Sequence, residues 1–215
     1  MSQNIDINAI INDKICCSKD IPSSIQPDFV IYQIRLKKHA IRANTFYLMA
    51  NNIVIQMAKK RGVSIFIGQG HNVHISEKSK HLGKVIQTLE HYNIIYIHNH
   101  KFKIKYTKLP ETGKYSITFK FTENHLGLDW TPIDKDLCSN TKLCPEICGQ
   151  FNHSPIPSRR NTVLENLNGC IKFIVRKMKN NIYEIECPAN LDQTIAFALG
   201  ICQIVGPFEI IDSSS

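Results

Sequence analysis

From Phe29 onward the chain alternates short runs rich in β-branched and aromatic residues with polar breaks. The runs are FVIYQIRL, TFYLMA, NIVIQMA, VSIFIG, HNVHIS, GKVIQTL, NIIYIHN, FKIKYT and KYSITFKF. Within them apolar positions recur at a period of two. Phe102, Ile104 and Tyr106 fall on one face, and Lys101, Lys103 and Lys105 on the other. A period of two with one apolar face predicts half-buried strands, and runs this short and close predict an all-β sandwich or barrel rather than alternating βα units. Regularity fades between Thr131 and Pro157, after which GCIKFIVRK and NIYEIE predict two more strands.

The pattern then changes character. From Ile195 to Cys202 every residue is apolar or small, so the segment has no polar side. A helix that is hydrophobic all round must be enclosed all round. Asn190 or Asp192 can cap its first amides, Gln193 sits at the capping-box position for Asn190, and Gly206-Pro207 ends it, which predicts a helix over 191–204. That is shorter than the ~20 apolar residues needed to cross a bilayer. If the strands close into a barrel, no sheet edge is left exposed and the lumen must be filled; this helix is the filler.

Composition narrows the class. The 215 residues suffice for one domain with a substantial core, expected over 25–211, preceded by a polar leader at 1–24 that ends in Pro22-Ser23-Ser24. Lys and Arg number 26 against 18 Asp and Glu, a net charge of +8, which points to an anionic partner. The eight cysteines lack the spacing of a small disulfide scaffold, and no secretory leader opens the sequence. These features imply a reducing compartment: the cytoplasm, peripherally on a membrane, with the nucleus as a second location.

Four stretches, taken in order from Ile25 to Ile204, resemble the tubby-like C-terminal domain. IQPDFVIYQIRLKK followed by TFYLMANNIVIQMAKKRGVSIFI is similar to that family's opening strands and the basic turn after them. HLGKVIQTLEHYNIIYIHN is similar to its glycine-lysine strand and the strand that follows. FTENHLGLDWTP shares Asn124, Leu126 and Gly127 with a family motif, with the glutamate displaced to Glu123. KFIVRKMKNNIYEIECPANLDQTIAFALGI keeps Phe173, Pro188, Gln193, Ala196, Ala198 and Leu199. The resemblance implies a mainly β fold, a closed antiparallel barrel of twelve strands around one central C-terminal helix. Phospholipid scramblases and LURP-one proteins share that architecture. A scramblase would want an acidic calcium-binding run before the proline, and Lys179-Asn180-Asn181-Ile182 carries none.

The function implied by the resemblance is that of a phosphoinositide-binding adaptor. It would be peripheral on membranes, monomeric, without cofactor, and able to take protein cargo. The implied site is Lys59, Lys60 and Arg61 from the basic turn, with Lys84 after the glycine. The family's arginine two places later falls on Ile86, which carries no charge. Other cations could take over part of the role: Arg35, Lys37, Lys38 and Arg42, or Lys101, Lys103 and Lys105. Physically, clustered phosphates are held by charge-assisted hydrogen bonds, Lys acting as a point charge and Arg as a fork.

A different class also fits. Basic strands carrying Tyr and Phe, such as FKIKYTK with Arg159 and Arg160, suit single-stranded nucleic acid. A structural barrel that has lost its lipid site is a third reading. No Walker loop, G-x-S-x-G elbow or other catalytic constellation is present, so no enzyme is expected. Cys138, Cys144, Cys148 and His153 are spaced unlike a zinc knuckle. His98 and His100 are expected on one side of a strand.

Overall fold

The computed structural model describes residues 28–39, 43–71, 74–88, 92–98, 100–108, 115–120, 131–132, 155–158, 160–165 and 172–206. The predicted leader lies outside them, as do Arg42, Arg159, Glu123 and the Cys138, Cys144, Cys148 and His153 group.

The strands are β1 (Phe29–Lys37), β2 (Thr45–Ala50), β3 (Ile53–Arg61), β4 (Ser64–Gln69), β5 (Gly83–Gln87), β6 (Tyr92–Ile97), β7 (His100–Lys108), β8 (Tyr115–Lys120), β9 (Thr131–Pro132), β10 (Thr162–Glu165), β11 (Lys172–Lys179) and β12 (Ile182–Pro188). A single helix, α1 (Gln193–Val205), follows them. All twelve strands join one antiparallel sheet, in the order β8-β7-β6-β5-β4-β3-β2-β1-β12-β11-β10-β9. Apart from the β1–β12 pair, neighbours in the sheet are neighbours in sequence. Asn51 and Asn52, with φ of 48° and 63°, make the tight β2–β3 turn, since Asn tolerates the left-handed backbone such hairpins require.

Alternation within the strands resolves into two surfaces. Ile34, Ala58, Ile65, Val85, Ile95, Ile104 and Ile185 are fully buried and meet α1, where Ile195 to Cys202 and Ile204 are buried in turn. Contacts reach the helix from widely separated strands. Ile34 and Ile185 approach Gly200, Gln56 donates to the Thr194 hydroxyl at 2.9 Å, and the Tyr106 hydroxyl donates to the Cys202 carbonyl at 2.9 Å. The sheet therefore curls around α1. Its two edge strands, β8 and β9, come within 8 Å of one another, while the hydrogen-bonded order among the described residues runs from one to the other without a joining pair.

Gly200 shows how tight the fit is. A Cβ built there would lie 2.6 Å from Cδ1 of Ile34 and 3.3 Å from Cδ1 of Ile185, so β1 and β12 close down on a helix surface that has no side chain at that point.

Three local expectations are corrected. The helix starts at Gln193 rather than 191 and runs to Val205, because Asp192, not Asn190, supplies the cap. Asp192 Oδ1 accepts from the Thr194 amide at 2.8 Å and the Ile195 amide at 3.0 Å. HNVHIS is not a strand: its described residues form a turn and bend, and Ile75 folds back onto Gly68, Met57 and Phe66 on the outside of the sheet. His98 (φ 49°) stands in the β6–β7 turn and His100 begins β7, so the two do not share a strand face. The short strand β10 is an addition the periodicity did not predict.

Replacing Asp192 by Ala removes the acceptor for two otherwise unpaired helix amides. It is expected to cost about 1 kcal/mol and to lower the melting temperature by roughly 2–4 °C, measurable by thermal unfolding.

Cys187 and Cys202 are buried free thiols, and burial pushes both up to about 12. The unfolded thiol loses its proton near 9.0, so between these values the native chain holds protons that the unfolded chain has released. This contribution is fully present below the unfolded value and is lost as pH rises towards the folded one. Each thiol makes stability fall by about 1.4 kcal/mol per pH unit inside that window. Urea midpoints measured on either side of the window should show the decline, with a smaller slope in Cys202→Ala.

Candidate functional site

The β3–β4–β5 register decides which of the sequence-derived cations can act together. Lys59 pairs with Phe66, Phe66 with Lys84, Lys84 with Tyr96, and Tyr96 with Lys101. One step along, Arg61 pairs with Ser64, Ser64 with Ile86, Ile86 with Ile94, and Ile94 with Lys103. Paired residues project from the same side of a sheet, and side chains alternate along a strand. Lys59, Arg61 and Lys84 therefore share the outer surface, with Lys59 and Lys84 two strands or ~10 Å apart.

Lys60 does not join them. It falls on the inward side with Ala58, beside the buried Ile65, at the very end of β3. Burial lowers its pKa, because a half-enclosed ammonium loses hydration. The sequence reading of Lys59 to Arg61 as a turn is thus replaced by the end of a strand, the turn itself being Gly62-Val63. Three of the four predicted residues face outward and one faces in.

Lys84 is held in position from two directions. Its Nζ lies 5.1 Å from the centre of the Phe66 ring and 3.1 Å from Glu77 Oε1. His81 meets the same ring edge-on at 5.3 Å. Glu77 is largely exposed, so its ion pair with Lys84 contributes little to stability, at most about 1 kcal/mol. Its consequence is electrostatic: an exposed carboxylate stands where an incoming anion would go.

The β4–β5 connection supplies what the sequence reading missed. An open hollow of about 340 Å³ lies beside Lys84, lined by Arg61, Ser64, Phe66, Ser76, Glu77 and Lys78. Its floor is aromatic, and its walls carry a guanidinium, an ammonium and two hydroxyls, all able to donate hydrogen bonds to phosphate oxygens. The sequence signal for it is Ser76-Glu77-Lys78-Ser79-Lys80, a wholly polar run that follows the apolar Ile75.

Ile86 stands between Ser64 and Ile94, half-buried and outward. The cations nearest in its row are Arg61 on one side and Lys103 on the other, each two strands away. Lys103 is engaged with an aromatic neighbour, its Nζ 3.8 Å from the centre of the Tyr92 ring. Arg35, among the alternative cations, donates to Gln33 Oε1 at 2.7 Å. Arg160 turns towards the helix end, where its Nη1 donates to the Gln203 carbonyl at 3.4 Å, so it is not presented as a nucleic-acid contact.

Among the described residues no three His, Cys, Asp or Glu side chains are grouped to hold a metal ion. No described helix is long and apolar enough to cross a membrane. No protein-family model matches the chain, and no curated protein matches it either.

Proposed function

We propose that this protein is a peripheral phosphoinositide-binding module of the tubby-like type, whose strands close into a barrel around α1. The approach of β8 to β9 and the burial of the helix support the closed architecture. The observation that carries the functional reading is the register that sets Lys59, Arg61 and Lys84 on one surface around the Phe66-floored hollow. In this reading a headgroup phosphate takes the place of Glu77 on Lys84. Arg61 binds a second phosphate as a fork, Lys78 adds charge, and Ser64 and Ser76 donate to the remaining oxygens. Arg61 supplies a guanidinium in the row where Ile86 supplies none.

Single-stranded nucleic acid is the rival partner. Its strand surface has Lys101, Lys103 and Lys105 beside Tyr92 and Tyr96, but Lys103 covers the Tyr92 ring that a base would stack on. The test is co-sedimentation with vesicles containing phosphatidylinositol 4,5-bisphosphate, run beside short DNA and RNA at about 150 mM salt, where purely electrostatic oligonucleotide contacts weaken steeply. Vesicle binding is expected. Salt-resistant oligonucleotide binding without a lipid response would reverse the assignment. Glu77→Ala should tighten vesicle binding by roughly threefold to tenfold, since it removes a competing carboxylate from Lys84.

A further inference from the structure

The antiparallel order gathers the β1–β2, β3–β4 and β11–β12 connections at one end of the sheet, together with the C-terminus of α1. The strand ends and turns there carry Lys37 from β1 and Lys38 just after it, Lys60 and Arg61 from β3, and Lys179 from β11. Among the described residues these strand ends and turns hold no carboxylate. Lys37, Lys38, Arg61 and Lys179 are exposed. The strands run in the order β11-β12-β1-β2-β3, so the cations sit on every second strand and spread over ~19 Å of rim.

An apolar tip lies in the same rim. Val63, in the turn after Arg61, is 43% exposed, and its carbonyl accepts from the Gln87 amide at 2.8 Å, which ties the tip to β5. The opposite end also exposes an apolar residue, Ile53, but carries Asp28 and Asp192, while Glu77 lies on the outer wall between the two ends, in the hollow it shares with Arg61. Among the described residues, this end combines excess positive charge with a pinned apolar turn.

We propose that this end docks onto an anionic bilayer, with Lys37, Lys38, Arg61 and Lys179 on the headgroups and Val63 entering the interface, so that the sheet stands end-on to the membrane. The inference rests on the membrane reading of the lateral site and adds to it a contact that needs only anionic lipid. Lys59 lies two residues above the Arg61 end and Lys84 pairs at the level of Phe66, so these two lysines sit ~7 Å up the wall while Arg61 and Ser64 carry the hollow down to the rim, beside the headgroups of a docked membrane.

The experiment uses the full chain and three vesicle types: phosphatidylcholine alone, phosphatidylcholine with phosphatidylserine, and phosphatidylcholine with phosphatidylinositol 4,5-bisphosphate. Each Lys or Arg near an anionic leaflet contributes a factor of about 5 in partition, so Lys38→Glu combined with Lys179→Glu should weaken binding to phosphatidylserine vesicles at least ~25-fold. Val63→Asp should weaken binding to both anionic vesicle types, whereas Val63→Trp should keep it and show blue-shifted emission on vesicles. All these positions are exposed, and unchanged melting temperatures verify folding. End-on docking is overturned, with the lateral site intact, if the parent binds phosphoinositide vesicles and neither the double reversal nor Val63→Asp alters binding to either anionic vesicle. Both readings fall if the parent binds no anionic vesicle.

Discussion

Replacing Lys59, Arg61 and Lys84 together by alanine is expected to reduce binding to phosphatidylinositol 4,5-bisphosphate vesicles by about two orders of magnitude while leaving the fold intact. The three side chains share one outward surface, Lys59 and Lys84 in the row that crosses Phe66 of β4 and Arg61 in the next row. Each contributes on the order of 1 kcal/mol towards an anionic leaflet, so the loss is about 3 kcal/mol, or ~150-fold. None of the three is buried. Each change should therefore alter stability by no more than the few tenths of a kcal/mol typical of surface substitutions. Lys60→Ala is the internal comparison. Its side chain belongs to the inward side, so it should weaken headgroup recognition less than any of the three outward residues. A triple variant that sediments with vesicles as the parent does would remove the lateral hollow as the binding site. Equal losses for Lys60→Ala and Lys84→Ala would show that bulk charge, rather than the built surface, is what the lipid meets.

Phe197→Ala should produce the largest loss of stability, about 3–5 kcal/mol. Phe197 is completely buried near the middle of α1, among side chains from the surrounding strands. Its removal leaves a cavity that a curled sheet hydrogen-bonded strand to strand cannot easily collapse to fill. Since a domain of this kind has some 5–15 kcal/mol in hand, the variant should melt well below the parent or fail to accumulate folded. Phe197→Leu retains most of the volume and should cost appreciably less. Chemical denaturation with both variants measures the difference. An unchanged midpoint for the alanine variant would mean that the helix is not enclosed, and the architecture argued from it would fail.

Much of the architecture could be read from the chain because burial writes itself into the order of residues. A strand with one face on the core alternates, as Phe102 to Tyr106 does, and a helix with no exposed face shows no alternation at all, as Ile195 to Cys202 does not. Where the signal failed, the reason was that periodicity records whether a residue is buried and not by what. Val73 and Ile75 alternate with polar residues like a strand, yet Ile75 is buried by folding across the outside of β3 and β4. Similarly, the Asp192 cap was one of two acceptable choices in sequence, and only the helix start selects between it and Asn190.

The candidate site was legible as chemistry and illegible as geometry. Lys59, Lys60, Arg61 and Lys84 were picked out by charge and by likeness to a family motif. Their division into three outward side chains and one inward followed from strand parity only after Lys59 to Arg61 proved to be strand rather than turn. Glu77, Ser76 and Lys78 are distant from Arg61 in sequence and reach it because the β4–β5 connection folds over Gly68.

By itself the sequence determined that this chain is rich in strands, ends its core in one all-apolar helix, and carries surplus positive charge. Each of these follows from local composition and period, which depend on neighbours along the chain. The tertiary structure alone decided which cations stand together, which one turns inward, and which described strand ends and turns gather positive charge at one end of the sheet. Those facts depend on cross-strand register, where a shift of a single residue moves every side chain to the opposite face.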